Sequence, residues 1–92
     1  SGRRAVILVL EEGAPAGLAG APVRFEGRQA GFVQADSHSY VIGRRLALAV
    51  LDTAAAWPNL RFELAAGEAQ VAAESRSAPL FLTRTVVESL NL

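Results

Sequence analysis

The 92-residue sequence contains no cysteine and no lysine, and it has one histidine, one tyrosine and one tryptophan. Without cysteine, the chain has no disulfides, no thiolate nucleophiles and no thiolate metal ligands. Without lysine, a Schiff-base or lysine-nucleophile mechanism within the chain is excluded as well. A single histidine excludes metal sites built from several imidazoles, and the carboxylates lie at spacings that do not suit a metal. We therefore expect no catalytic residue and no metal site in this chain.

Neither sign of charge dominates, because nine arginines balance nine acidic side chains. The chain thus has no broad positive field for phosphate backbones and no polybasic segment for an anionic membrane. The longest apolar run, residues 5–10, is about a third of the length that a membrane-spanning helix requires. No signal-peptide pattern is present, and the lack of cysteine is typical of cytosolic proteins. We expect a cytoplasmic, soluble protein that binds neither nucleic acid nor membranes.

Length and hydrophobicity predict one domain. Ninety-two residues, 51% of them hydrophobic, are enough to build one core but not two. The chain opens with Ser1-Gly2, and a strand-like run begins three residues later. We interpret residues 1–2 as a scar of tag cleavage, and residues 1–92 as a single domain that is a fragment of a longer enzyme.

Short runs of alternating apolar and polar residues, separated by glycine and proline, predict strands along the whole chain. The first run, residues 5–10, is continuously apolar, which is typical of a strand covered on both faces. Further strands are predicted at residues 23–26, 29–35, 46–51, 60–64 and 70–75. The leucines and alanines of residues 46–51 also suit a helix on propensity, but we prefer a strand. Residues 79–82 and 85–87 are either a last strand or a segment that packs on a missing neighbour. Because that neighbour is missing, we expect exposed apolar side chains at Leu80–Leu82, Val86, Val87, Leu90 and Leu92.

Glycine and asparagine mark the predicted corners between these strands. We expect Gly27 to adopt a positive φ in a tight hairpin, Gly31 to mark a bulge or a close backbone approach, and Asn59 to begin a turn. Residues 36–42 are interpreted as a polar turn. Six short antiparallel strands point to a barrel or a sandwich, closed because open edges promote aggregation. The predicted fold is all-β, a small antiparallel six-stranded Greek-key barrel.

The polar turn contains residue types that occur in catalytic triads. Ser37, His38 and Ser39 follow Asp36 directly. Adjacent residues of one turn cannot be hydrogen-bonded in series as a nucleophile, a base and an orienting carboxylate. The favoured interpretation is a solvated polar turn.

Two arginines and two aromatic residues are the remaining candidates for ligand contacts. Guanidinium groups suit carboxylates and phosphates, but Arg44 and Arg45 are neighbours on a strand and should face opposite sides. We expect at most one of them to contact a ligand in a given pocket. Without a ligand role, we expect these arginines to form ion pairs on the surface. Tyr40 and Trp57 have rings that suit stacking on a flat heteroaromatic ligand, whereas single aromatic residues in small domains usually cap the core.

Three segments in order carry a family resemblance: residues 21–33, with Pro22-Val23 and Gly27; residues 37–49, with Tyr40, Gly43 and Leu46-Ala47-Leu48-Ala49; and residues 78–82. Together they resemble the C-terminal barrel domain of the glycine-cleavage T-protein (aminomethyltransferase) family. The likeness covers nearly the whole chain and rests on the ordered set of segments. The sequence departs from the family pattern at Gln34-Ala35-Asp36, usually Thr-Ser-Gly, and at His38, usually Tyr.

Within that family the chain looks closest to the version found in dimethylglycine and sarcosine dehydrogenases. The residues that suggest this are Ser39-Tyr40, Arg45-Leu46-Ala47 and Pro79-Leu80. The resemblance implies one-carbon transfer to tetrahydrofolate, from an aminomethyl donor in T-proteins and from an oxidised N-methyl group in the dehydrogenases. If the parent is of the dehydrogenase type, the resemblance leaves open whether an upstream domain binds FAD.

In this family the folate cavity and the catalytic aspartate belong to the preceding N-terminal folate-binding domain of the same chain, and the barrel closes one side. That domain is therefore the expected partner, and this chain alone should neither catalyse nor bind folate tightly. If the barrel contributes contacts to folate, we expect them from His38, Tyr40 and Arg44. An alternative of another class stays open, namely a free-standing β-barrel protein-interaction module.

Overall fold

The computed structural model describes residues 2–76, which form a closed antiparallel barrel. Its six strands are β1 (Arg3–Leu10), β2 (Pro22–Phe25), β3 (Arg28–Ser39), β4 (Arg44–Asp52), β5 (Arg61–Ala66) and β6 (Ala69–Ser75). Around the barrel the order is β1-β4-β3-β2-β5-β6. Because β2, β3 and β4 follow one another as hairpins and β4 lies beside β1, the arrangement is a Greek key. The predicted all-β Greek-key barrel is confirmed.

Strand β1 is buried on both faces, as its continuous apolar run predicts. Leu8 and Leu10 belong to the main core, whereas Ile7 and Val9 point away from it, and none of the four is more than 7% exposed. The outward pair forms a second buried cluster with two leucines of β4, Leu46 and Leu48. The same strand pairing that closes the barrel therefore also sets up an apolar cluster on its outside.

The interior of the barrel is filled with side chains. Large residues from all six strands meet there with little or no exposure: Leu8, Leu10, Val23, Val33, Leu51, Phe62, Leu64 and Val71. Burying each of them contributes roughly 1.5–3 kcal/mol relative to leaving it exposed. A six-stranded barrel filled in this way keeps no lumen for a substrate, so any binding surface lies at its ends or on its outer wall.

The predicted corners have the expected backbone. Glu26 and Gly27 have φ values of 52° and 80°, the two positive values that a two-residue type I′ hairpin requires. At Gly31 a Cβ atom would collide with the carbonyl oxygen of Val50, which confirms a close backbone approach. Asn59, with φ 63°, follows Pro58 in the turn before β5.

One predicted boundary is wrong. Residues 36–42 are not a turn, because β3 continues to Ser39 and only residues 40–43 turn into β4. The polar side chains at the end of β3 misled the prediction. Asp36 and His38 stand opposite Ala47 and Arg45 of β4, where ladder pairing and an ion pair make polar residues compatible with a strand.

The predictions for the C-terminal segment lie outside the described residues. They concern a last strand at residues 79–82 and 85–87, and exposed apolar side chains at Leu80–Leu82, Val86, Val87, Leu90 and Leu92. Between residues 2 and 76, no helix is long and apolar enough to cross a membrane.

Candidate functional site: a cleft at the β3–β4 end

A cleft of about 670 Å³ opens at the end of the barrel where β3 turns into β4. Three segments of chain form its walls: the exit of β1, the end of β3 and the start of β4. Its lining residues are Glu11, Glu12, Gly13, Ala14, His38, Tyr40, Gly43, Arg44 and Arg45. The three residues singled out in the sequence, His38, Tyr40 and Arg44, thus lie in one cleft.

The imidazole of His38 packs against the ring of Tyr40. The ring centroids are 4.7 Å apart and the planes meet at 70°, an edge-to-face arrangement that aromatic pairs favour. His38 is half-buried, while Tyr40 is 88% exposed. The expectation that the single aromatics cap the core is therefore wrong for Tyr40, and also for Trp57, which is 63% exposed.

Arg44 is oriented by the main chain of the neighbouring strand. Its Nε donates a hydrogen bond of 2.9 Å to the carbonyl oxygen of Leu10. Within residues 2–76, no carboxylate lies within the 4.0 Å of an ion pair with this guanidinium. Because an arginine side chain has five N–H donors, Arg44 keeps donors for an anionic group in the cleft.

An ion pair closes the barrel beneath this cleft. Arg45 donates from Nη2 to Oδ2 of Asp36 at 2.7 Å, and the Asp36 side chain is only 6% exposed. The other carboxylate oxygen of Asp36 accepts the Leu18 N–H at 3.1 Å. One carboxylate thereby joins β3, β4 and the β1–β2 loop that crosses this end.

Two expectations about the arginines are corrected here. The Asp36–Arg45 pair is largely buried and is not a surface ion pair. Arg44 and Arg45 also line the same cleft, although neighbours on a strand do face opposite sides. The reason is their place at the strand end, where Arg45 points into the barrel mouth and Arg44 folds over the rim to reach Leu10.

The serines beside His38 do not take part in a triad. One side of the sheet carries Asp36 and His38 of β3 and their partners on β4, Ala47 and Arg45. Ser37 and Ser39 point to the other side. Ser39 is fully buried, and in the described part of the chain its Oγ has no hydrogen-bond partner. The cleft is therefore lined by Arg44, His38 and Tyr40, and among the residues that the structure describes it contains no nucleophile hydrogen-bonded to a base.

Acidic groups form the opposite wall of the cleft. A carboxylate oxygen of Glu11 accepts the N–H of Ala72 at 2.5 Å, so this side chain continues the pairing of β6 just where β1 ends. Glu12 follows at the same rim. The cleft thus has acidic groups facing arginines, and no group of three possible metal ligands occurs between residues 2 and 76.

Sequence reasoning missed a second concavity, a groove of about 550 Å³ on the outer wall of β5 and β6. Most of its charged residues occupy outward positions of the neighbouring strands β2, β5 and β6, and the alternation of polar and apolar residues in those strands was the available signal. The groove shares Glu11 and Arg44 with the cleft. Arg24 stands opposite Glu63, and Arg61 opposite Glu74, across neighbouring strands. Cross-strand pairs of opposite charge are the ordinary composition of a solvated sheet face, so we assign the groove no ligand.

Comparison with known proteins bears on what the cleft belongs to. Residues 3–81 match the family model described as "Glycine cleavage T-protein C-terminal barrel domain". A search of curated proteins found no match to this chain. The family match includes every strand of the barrel and the whole cleft, whereas the closer likeness to dimethylglycine and sarcosine dehydrogenases stays a prediction. The chain therefore belongs to the glycine cleavage T-protein C-terminal barrel domain family, a domain family of folate-related aminomethyltransferases.

Proposed function

We propose that this barrel is the non-catalytic C-terminal domain of a tetrahydrofolate-dependent aminomethyltransferase or N-methyl amine dehydrogenase, and that it closes one side of the folate cavity of the preceding domain. The observation that carries the proposal is the family match over residues 3–81. We assign the parent enzyme to the cytoplasm, with FAD in an upstream domain if it is the dehydrogenase.

The shape of the barrel supports a role as one wall of a cavity. A small-molecule site usually buries 70–90% of its ligand, and the filled interior offers no such enclosure. The cleft at the β3–β4 end is open to solvent on the side where Tyr40 stands. A second domain placed against this end would complete the enclosure.

The cleft residues suit the chemistry of folate. The free N–H groups of Arg44 match the carboxylates of its glutamate portion, because a guanidinium binds a carboxylate with two parallel hydrogen bonds. The Tyr40 ring offers a face for a flat ring system. The imidazole of His38 packs edge-to-face with that ring, which makes His38 a positioning residue.

The test is binding of tetrahydrofolate to the full-length parent by titration calorimetry. We expect Arg44→Ala to weaken binding about tenfold or more, the loss of one charge-assisted contact of roughly 1.5–3 kcal/mol. Tyr40→Ala and His38→Ala should weaken it less. Arg61→Ala, an exposed arginine on the outer wall of β5, is the matched control. Three unchanged dissociation constants would remove these residues from the folate site.

A second experiment addresses the domain role itself. The isolated 92-residue chain should show no turnover of an N-methyl or aminomethyl amine, and the parent without the barrel should lose affinity for tetrahydrofolate. Turnover by the isolated chain would contradict the proposal.

The alternative, a free-standing interaction module, is favoured by one observation, the exposed apolar side chains of Tyr40 and Val41. The reading frame separates the two functions. Several hundred codons upstream of Arg3 agree with the domain of a larger enzyme, whereas a start codon at this position agrees with the module.

A further inference from the structure

The outer wall of strands β1 and β4 carries a buried apolar patch, the outer patch. Its members, each at most 7% exposed, are Ile7, Val9, Leu46 and Leu48. They point away from the main core, so the barrel interior does not bury them. On the strands across the barrel, β2 and β5, the outward side chains of Arg24 and Glu63 are exposed. An outward position on a barrel wall is buried only where another segment lies over it.

The described connections between the strands are engaged elsewhere. The β1–β2 loop crosses the β3–β4 end of the barrel, where the Leu18 N–H meets Asp36. The segment between β4 and β5 packs Ala55 and Leu60 against the main core, and the other connections are short hairpin turns. No further apolar side chain among residues 2–76 belongs to the outer patch. We therefore look for its cover beyond this part of the chain.

The described part of the chain ends beside the outer patch. The Arg76 N–H donates to the carbonyl oxygen of Ile7 at 3.0 Å, so the chain leaves β6 alongside a strand that carries the patch. An extended chain spans about 3.3 Å per residue, and neighbouring strands lie about 4.8 Å apart, so a few residues are enough to reach β4. Residues 77–92 follow, and their only charged side chains are Arg84 and Glu88. The large apolar side chains of this segment are Leu80, Phe81, Leu82, Val86, Val87, Leu90 and Leu92.

The size of the outer patch favours a segment of the same chain over a separate protein. Two side chains on each of two neighbouring strands make a patch of about 10 Å by 10 Å, whereas a stable interface between separate proteins takes about 800 Å² from each partner. A tethered segment meets the patch at an effective concentration of about millimolar. A second copy of this chain would need contacts well beyond the patch.

We propose that residues 77–92 fold back over the outer patch and cover it with their apolar side chains. The proposal is independent of the proposed function, because it concerns the outer wall of β1 and β4 and not the folate contacts. It answers what the sequence left open, since it gives the segment a contact on the barrel itself and not on a missing neighbour. It also bears on the cleft: Leu46 directly follows Arg45, and Val9 lies two residues before Glu11. A cover over the patch thus stabilises the two strands that lead into the cleft.

Paramagnetic relaxation enhancement in the 92-residue chain tests the proposal. Because the sequence has no cysteine, Thr83→Cys provides a single site for a nitroxide label within the segment. The amide signals of Ile7 and Leu48 should lose most of their intensity, and those of Arg24 and Glu63, on the strands across the barrel, should keep more of theirs. Equal losses on the two walls would overturn the proposal. So would a label on one chain that broadens the patch signals of a second, isotope-labelled chain, since a second copy would then be the cover.

Thiol labelling adds a second measurement, in which the segment carries no label. A thiol at Leu48→Cys should react several times more slowly with a thiol reagent than one at Ala72→Cys, an exposed outward position on β6. Phe81→Ser with Leu82→Ser should raise the rate at position 48 several times, whereas Arg84→Ser, the matched control in the segment, should leave it unchanged.

A thiol at Ala49→Cys, on the inner face of β4, reports on the barrel itself and should stay slow in all these chains. Equal rates at positions 48 and 72 with the segment unaltered would show an uncovered patch and refute the proposal. A slow rate at position 48 that Phe81→Ser with Leu82→Ser leaves unchanged would show a different cover and refute it as well.

Discussion

The two ends of the barrel are closed by different means, although strand β4 connects them directly. At the β3–β4 end, a buried ion pair between Asp36 and Arg45 lies under an open cleft. At the β4–β5 end, a short 3-10 turn, Thr53–Ala55, donates the Thr53 N–H to the Gly2 carbonyl oxygen before β1. The segment before β5 is attached to Ser75 at the end of β6 by hydrogen bonds between neutral groups. The buried ion pair lies at the end with the cleft, whereas the Arg3–Asp52 pair at the β4–β5 end is exposed. The buried side-chain polar atoms described at the β4–β5 end all have hydrogen-bond partners.

Two fully buried serines show the difference. Ser75, at the β4–β5 end, donates from Oγ to the Trp57 carbonyl oxygen at 2.6 Å and accepts the Leu60 N–H at 3.0 Å. Ser39, at the β3–β4 end, has an Oγ without a partner among residues 2–76. A satisfied buried hydroxyl stabilises the fold, whereas an unsatisfied one destabilises it. We therefore expect the buried hydroxyl at the β4–β5 end to stabilise the barrel more than the one at the β3–β4 end.

The largest expected effect comes from breaking the ion pair. Asp36→Ala leaves the Arg45 guanidinium poorly solvated and removes the acceptor of the Leu18 N–H, so we expect a loss of about 3 kcal/mol in the free energy of unfolding. The matched control at the other end is Asp52→Ala, whose partner Arg3 lies 3.8 Å away with both side chains about 60% exposed. That variant should change stability by less than about 0.5 kcal/mol. Urea unfolding measures both, and equal losses would refute the distinction between the two ends.

Asp36→Asn sharpens the same prediction. The amide retains an oxygen for the Leu18 N–H but carries no charge for Arg45, so its loss should be smaller than that of the alanine variant. A loss as large as that of Asp36→Ala would show that the charge, and not the hydrogen bond to the β1–β2 loop, supplies the stability.

The next effect concerns the satisfied serine. Ser75→Ala removes the acceptor of the Leu60 N–H and the donor to the Trp57 carbonyl, so we expect a loss of about 2 kcal/mol in unfolding free energy. Thermal and urea unfolding report it. Unchanged stability would show that water replaces the hydroxyl at this end.

The smallest effect is expected at the unsatisfied serine. Ser39→Ala removes a buried hydroxyl that bonds to nothing in the described structure, so stability should stay within about 0.5 kcal/mol or rise. This variant is the counterpart of Ser75→Ala, since both residues are 0% exposed. A loss equal to that of Ser75→Ala would contradict the difference between the two ends.

The alternation of apolar and polar residues, in segments separated by glycine and proline, was enough to place the strands near their observed positions. The reason is that period-two burial is a local property of a strand. This alternation correctly predicts that Val23 is buried and that its neighbour Arg24 is exposed. The end of β3 was misplaced, since polar residues there are stabilised by partners on β4 and on the β1–β2 loop. Those partners are 9 and 18 residues away in sequence, beyond the reach of a local pattern.

The candidate site divides in the same way. The amino-acid order already shows which side chains are available: an arginine, a histidine and a tyrosine within seven residues, with no cysteine or lysine anywhere. The folded barrel is needed to learn that Arg44 reaches over the rim to Leu10, that Arg45 pairs with Asp36, and that the glutamates after β1 line the same cleft. The physical reason is that strand pairing between residues far apart in the chain determines which side chains meet at a barrel end, and residue spacing carries no information about it.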